Sequence, residues 1–209
     1  MSLSHSILSF AVSFTFLIIA MTVHEFAHGL VAYKLGDSTA RLSGRLSLNP
    51  LVHIDLFWTI LLPLVLFLST AGQFVFGAAK PVPINYAALK NPKRDIIWIG
   101  LAGPLANLVL AFISAQILRF VLLPDVITYI FFNLIIINVV LAIFNLIPIP
   151  PLDGSRVLLG LLPAQLSEQY SALERYGFII LFALIWLGIF DRVLWPLVGA
   201  VIRIMGVAY

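Results

Sequence analysis

The sequence predicts an all-α polytopic membrane protein, and two features of its composition carry that prediction. Of the 209 residues, 62% are apolar and 10% are charged, whereas soluble globular chains are roughly half apolar and about a quarter charged. The apolar residues fall in long runs, as membrane-spanning helices require. We therefore expect a single membrane domain over residues 1–209, with no separate aqueous domain.

Six apolar segments make up most of the chain. They cover residues 7–33, 54–72, 96–121, 126–147, 173–190 and 193–206. The first, third and fourth are long enough to cross about 30 Å of hydrocarbon as helices, which takes about 20 residues. Each of the other three is short enough to be a tilted span, a re-entrant segment or half of a broken hairpin. The sequence therefore predicts four to six spans.

Basic residues give a partial topology for the first half of the chain. They form two groups: Lys34, Arg41 and Arg45 after the first segment, and Lys80, Lys90, Lys93 and Arg94 before the third. Because cytoplasmic loops are enriched in Lys and Arg, both connections are expected on the cytoplasmic side. A full crossing by residues 54–72 conflicts with this, and Pro63 favours a re-entrant segment instead.

The connections between these segments carry two extended patterns. From Ala40 to Leu48, apolar or small residues alternate with polar ones at period two, which is typical of a strand. We therefore expect a short β element near residues 38–48. Residues 79–85 contain Pro81 and Pro83, so this stretch should be extended or looped.

A His-Glu-Phe-Ala-His sequence near the end of the first segment predicts a metal site. His24 and His28 lie one helical turn apart and share a face, so both can bind one zinc ion at about 2.0 to 2.1 Å. Glu25 can then take a proton from metal-bound water. The alternative is a pair of interfacial histidines beside a glutamate. The metal site is favoured because a glutamate in an apolar helix is costly unless it serves a cavity or a cation.

A third ligand must come from elsewhere, since catalytic zinc usually takes three protein ligands. The chain has no cysteine, so His and carboxylate groups must supply all of them. The best candidate is Asp153, which follows prolines 148, 150 and 151. These prolines leave extended chain at membrane depth, where it is tolerated only against protein or a watery cavity. The alternative is a helix cap followed by an Asp-Gly turn.

Together, the two motifs resemble the site-2 protease family of intramembrane zinc metalloproteases. The family pattern pairs HExxH in an early transmembrane helix with a later Asn-x-x-Pro-x-x-Pro-x-Asp-Gly element. The prolines here depart from that spacing, whereas Asn145 and Asp153 keep their eight-residue separation. Residues 79–83 and 102–107 also resemble the small bacterial branch of the family.

The resemblance implies a role for each site residue. His24, His28 and Asp153 would bind one zinc ion per chain, Glu25 would be the general base, and Asn145 would hold the substrate near the metal. A metal-binding membrane transporter is the alternative, but it gives Glu25 no task, and no inverted repeat is visible. An inactive scaffold relative is disfavoured because every expected catalytic residue type is present.

The resemblance also implies an architecture and a setting. Residues 22–33, 96–121 and 134–154 would form a catalytic three-helix core. The protein would be a multi-pass protein of the bacterial inner membrane, with its site open to the cytoplasm. It would cleave peptide bonds in or near transmembrane segments. Its partners would be transmembrane substrates and membrane lipids, and not nucleic acid, because its basic residues are scattered. The substrate's identity and the oligomeric state stay open.

Four further polar residues need an explanation. His53 and Asp55 resemble another motif of the small branch and could line the cavity, bind a second metal or orient a ligand. The alternative is an interfacial loop in which Asp55 caps a helix. Asn107 and Asn138 lie within apolar helices, where a side-chain amide normally finds an interhelical partner.

The stretch of residues 40–48, expected to be a strand, could also offer an edge on which an unwound substrate pairs.

Overall fold

The computed structural model describes residues 3–71 and 75–207, with side chains from residue 10 onward. Its α-helices are α1 (Leu3–Lys34), α2 (Thr39–Leu42), α3 (Leu62–Ser69), α4 (Pro92–Phe120), α5 (Asp125–Asn145), α6 (Asp153–Leu161), α7 (Ala164–Ser171), α8 (Gly177–Trp186) and α9 (Ile189–Ile204). A π-helical turn, Leu56–Leu61, leads into α3, and three 3-10 turns cover Pro50–His53, Tyr86–Ala88 and Ala172–Tyr176.

Three of these helices are long and apolar enough to cross a membrane. They are α4, α5 and the Phe10–Lys34 part of α1. The helices on either side of Gly188 are bent by 80° and count as a fourth span only if taken together. Gly188 causes that break with a left-handed backbone, φ 68°. The described part of the chain therefore has three helices that could span, which is fewer than the expected four to six, or four if the bent pair counts as one span.

The three long helices pack against one another, with α6 against α4 and α9 against α5. Small side chains on α4, Ala111 and Ala115, are fully buried against Ile135 and Val139 of α5. Small residues let helix backbones approach closely where no water drives them together. Helices α1, α4 and α5 thus pack together as expected, although the third segment of the predicted core, residues 134–154, is helical only up to Asn145 and again from Asp153.

The expected β element near residues 38–48 is wrong. Residues 39–42 form α2, and the described ranges contain no strand. Asp37 Oδ1 accepts hydrogen bonds from Thr39 N (2.9 Å) and Thr39 Oγ1 (2.5 Å), which starts a helical turn. Arg45 N then bonds back to Ala40 O at 2.8 Å. Such local bonds compete with a strand ladder, so this stretch offers no edge for a substrate.

The two ends of the apolar segment after this loop lie side by side. Ala78 N donates to Trp58 O at 3.1 Å, and Thr59 Oγ1 donates to Ala78 O at 2.7 Å. Residues 58 and 78 are therefore direct neighbours in the fold. Farther along, Asn85 N donates to Asp37 Oδ2 at 2.7 Å, which joins the segment before α4 to the loop that follows α1. This agrees with the common side that the basic residues predict for both connections.

Candidate metal centre

Three side chains from two helices meet near the C-terminal end of α1. His24 and His28 project from α1, and Asp153 lies in the first turn of α6. Asp153 Oδ2 is 2.9 Å from His24 Nε2 and 3.2 Å from His28 Nε2. The three groups offer ligand atoms within 4.8 Å of one another. The structure thus brings together the three residues that the sequence predicts as metal ligands.

The hydrogen bonds of the two rings decide which nitrogen faces Asp153. His24 Nδ1 lies 2.6 Å from Asn107 Oδ1, and His28 Nδ1 lies 2.6 Å from Ile99 O. A carbonyl oxygen only accepts, so each Nδ1 carries the proton and donates. In the neutral rings, both Nε2 atoms therefore present lone pairs to a carboxylate.

Three acceptors that face one another repel unless a cation lies among them. Two imidazoles and one carboxylate are the ligand set of many catalytic zinc sites, with a fourth position left for water. Zinc-binding histidines also usually donate their other ring N–H to a carbonyl or carboxylate. The residues present therefore fit a zinc ion, both in donor type and in the way their rings are held.

Helix α4 leaves room for such an ion by lacking a side chain. A Cβ at Gly103 would lie 2.5 Å from His24 Nε2 and closer still to His28 Nε2. No side chain could occupy that position without displacing the histidines. The sequence alone does not indicate this role of Gly103, because the spacing of residues on α4 says nothing about which part of α1 it faces.

A cavity of about 230 Å³ opens beside the cluster. His28, Asp153 and Glu25 form one part of its wall. Its other lining residues are Pro81, Val82, Ile84, Tyr86, Ile99, Gly100, Pro151 and Arg156. Glu25 Oε2 accepts a hydrogen bond of 2.8 Å from Val82 N. A carboxylate outside the three-residue cluster therefore faces the same space.

The chain reaches Asp153 through a tight connection. Helix α5 ends at Asn145, and α6 begins at Asp153. Gly154 lies so close to Leu146 O that a side chain there would clash with the backbone. The missing Cβ lets the start of α6 pack against the end of α5.

Asn145 lies at the end of α5, where its Nδ2 donates to Leu141 O at 2.9 Å. Among the hydrogen bonds of the described residues, none joins it to His24, His28 or Asp153. The amide is turned towards its own helix.

His53 and Asp55 serve the loops. His53 Nε2 donates to Ser47 O at 2.8 Å, and its carbonyl accepts from Lys80 N at 2.8 Å. Asp55 Oδ1 accepts from Phe57 N and Trp58 N and so caps the π-helical turn. Neither belongs to the three-residue cluster found in the described ranges.

Asn107 and Asn138 have the interhelical contact that their position in apolar helices predicts. Both are fully buried, and Asn107 Nδ2 donates to Asn138 Oδ1 at 2.7 Å. Asn107 Nδ2 also donates to Ala20 O at 3.0 Å, which leaves its Oδ1 for His24. The sequence did not indicate this link to the metal cluster.

Comparisons with known proteins agree on one family. Residues 122–187 match the profile of Peptidase family M50. The chain is 40% identical over 193 residues to "Putative zinc metalloprotease YwhC" of Bacillus subtilis (strain 168), covering 88% of this chain and 84% of that protein. No solved structure shows significant similarity.

Two further relatives are more distant. The chain is 29% identical over 172 residues to "Putative zinc metalloprotease Rip2" of Mycolicibacterium smegmatis, covering 80% of this chain and 64% of that protein. It is 24% identical over 174 residues to "Zinc metalloprotease MJ0392" of Methanocaldococcus jannaschii, covering 83% of this chain and 40% of that protein. The chain thus spans less than two thirds of these two relatives.

Proposed function

The chain belongs to peptidase family M50, the site-2 protease family of zinc metalloproteases, and on that premise we propose that it hydrolyses peptide bonds in or near transmembrane segments. The observation that carries the proposal is the placement of the site. Its two histidines are 5% and 6% exposed on a helix long enough to span a membrane. A zinc metalloprotease also has a task for Glu25, which a metal transporter lacks.

His24, His28 and Asp153 hold one zinc ion per chain in this proposal. The support is the convergence of two Nε2 atoms and one carboxylate oxygen, beside the space that Gly103 leaves. Bound zinc supplies Lewis acidity and lowers the pKa of water. Ile99 O and Asn107 Oδ1 fix the two rings so that both Nε2 atoms face the cluster.

Glu25 is the general base. Its carboxylate faces the cavity of about 230 Å³ that His28 and Asp153 also line. It takes a proton from water and then passes it to the leaving amine. Asn145 would grip the substrate near the metal, and to do so its amide must turn away from Leu141 O.

The substrates we propose are helical membrane proteins, with lipids as the surrounding partners. The carbonyls of a helix are hydrogen-bonded within the helix, so a substrate must unwind locally before cleavage. Lys34 ends α1 about two turns beyond His28. Because basic ends of spans face the cytoplasm, we place the opening on that side, in a bacterial inner membrane.

The position of the cut tests this proposal. The purified protein, in vesicles with a single-span helical substrate, should cut inside the span or within about one turn of its end. A soluble peptide from the substrate's aqueous part is the matched control. Chelation should abolish cleavage and added zinc should restore it, with cut sites read by mass spectrometry. Cleavage confined to the soluble peptide would contradict the membrane-segment substrate.

A further inference from the structure

Residues 77–85, which we call the strap, form an extended segment that the proposed chemistry has not used. The strap runs between the apolar segment that ends at α3 and the turn Tyr86–Ala88. Proline has no N–H, so the Pro81-Val82-Pro83 sequence has one main-chain donor in three residues. That donor, Val82 N, bonds Glu25 Oε2 at 2.8 Å, across 57 positions of the chain.

Loop contacts hold the strap on both sides of Val82. On one side, Lys80 N donates to His53 O at 2.8 Å, and Arg45 Nη2 donates to Lys80 O at 2.7 Å. On the other side, Asn85 N donates to Asp37 Oδ2 at 2.7 Å. The two prolines fix their own φ angles in between. Val82 therefore has little freedom to move away from Glu25.

The strap also packs directly on α1. The Val82 side chain is 6% exposed. A Cβ at Gly29 would lie 3.2 Å from Val82 Cγ1 and 3.4 Å from Ala40 Cβ. A side chain at Gly29 would therefore press on the Val82 side chain. The absence of a side chain at this position lets the strap reach the helix that carries Glu25.

We propose that the main-chain N–H of Val82 positions the general base: it fixes Glu25 Oε2 and leaves Oε1 to accept the proton from water. The inference rests on the proposed function. A glutamate side chain has several rotatable bonds, and holding a catalytic group in place lowers the entropy cost of reaching the transition state. His53 and Asp37 then act through the strap, because they hold it on either side of Val82.

Val82→Pro tests the donor, because proline removes the N–H and its ring suits an extended backbone. Val82→Ala is the matched control, since it trims the side chain and keeps the amide. We expect Val82→Pro to lower kcat about 10- to 100-fold, with KM and zinc content unchanged. Val82→Ala should lose less activity than Val82→Pro, because it keeps the N–H that bonds Glu25. Equal kcat values in the two variants would overturn the proposal.

A second variant covers the case in which Val82→Pro does not fold. Replacing Val82 by its α-hydroxy analogue exchanges the N–H for an ester oxygen and keeps the side chain. The readout is the infrared carboxylate band that Glu25→Gln removes. The band should shift in the ester variant and stay in place in Val82→Ala, because only the ester loses the donor. An unshifted band in the ester variant overturns the proposal.

These measurements separate the positioning role from the proposed function itself. If Glu25→Gln still cleaves the substrate, the proposed function fails. If Glu25→Gln is inactive while the ester variant cleaves at the parent rate, only the positioning role of Val82 fails.

Discussion

The two imidazole rings decide what the cluster can bind. Each Nδ1 donates to a fixed acceptor, so each Nε2 is left as a ligand atom. The acceptor for His24 is Asn107, which is fully buried and uses both ends of its amide. The ring therefore depends on a contact that crosses from α1 to α4.

Asn107→Leu should lower zinc affinity by about 10- to 100-fold, because the His24 ring loses the acceptor that orients it. Competition with a chelator of known affinity measures the change. Asn133→Leu is the matched control, since the Asn133 amide donates to Tyr129 O within α5. Equal zinc affinity in both variants would show that Asn107 does not hold the ring.

The Asp37 carboxyl makes the stability of the fold depend on pH in the acid range. Burial by itself raises the pKa of Asp37, but hydrogen bonds from Thr39 Oγ1, Thr39 N and Asn85 N outweigh it and hold the pKa below its usual range. A folded-state pKa below the unfolded value of about 3.9 stabilises the fold above that pH. The stabilisation is lost as pH falls from about 4 through the lowered folded pKa.

Thermal unfolding across this acid range should therefore be less pH-dependent in Asp37→Asn than in the parent chain. Asp125→Asn is the control, because Asp125 is exposed at the start of α5. The idea fails if Asp37→Asn keeps the acid dependence of the parent chain.

Sequence could predict the side chains of the cluster but not the groups that hold them. His24, Glu25 and His28 follow from helical spacing, and Asp153 follows from the proline-rich link and the resemblance. Val82 N and Ile99 O are main-chain groups, and every residue except proline has both. Only the folded chain shows which of them reach Glu25 and His28.

Among the helices, α4 contributes to the metal cluster both side-chain contacts and the space left by the missing side chain of Gly103. Gly103→Ala should displace His24 and His28, because its Cβ would occupy the space beside their Nε2 atoms. We expect zinc occupancy to fall at least about tenfold. Metal analysis of the purified variant measures the loss.

Gly199→Ala is the control for this change. Gly199 is also buried within a helix, and the nearest atom to a Cβ there is 3.9 Å away. Alanine should be tolerated, since it favours a helix over glycine by about 1 kcal/mol. If the two alanine variants bind zinc equally, Gly103 does not set the space for the ion.

Long apolar helices were predictable, whereas the short loop element was not. The segments expected at 7–33, 96–121 and 126–147 correspond to α1, α4 and α5, with ends displaced by a few residues. Their length and hydropathy are strong signals. The alternation after Ala40 covers too few residues to outweigh the bonds that Asp37 makes to Thr39 and Asn85.

For the whole molecule, the returning segment before the strap leads to a prediction of the membrane topology. Residues 58 and 59 are hydrogen-bonded to residue 78, so the loops on either side of this segment lie next to each other, and we expect both on one face of the membrane. The pattern of basic residues predicted that common face. It could not predict that the returning strap would reach Glu25, because that contact depends on the tertiary fold.

Single cysteines test this topology cleanly, because the chain has none of its own. Cysteines at Ser43 and Asn91, both exposed, should react with an impermeant reagent from the same side of sealed vesicles. A cysteine at Leu122, between α4 and α5, should react from the other side, since α4 is long enough to span. Labelling of Ser43 and Asn91 positions from opposite sides would contradict the re-entrant segment.

We propose that Glu25 activates water at a zinc ion held by His24, His28 and Asp153. Glu25→Gln tests it most directly, with zinc content and cleavage of a membrane substrate measured on the same purified protein. Exposed Glu168→Gln serves as the control. We predict one zinc ion per chain in both variants and a cleavage rate at least about 100-fold lower in Glu25→Gln alone. Cleavage by zinc-loaded Glu25→Gln at the rate of the control would contradict the account.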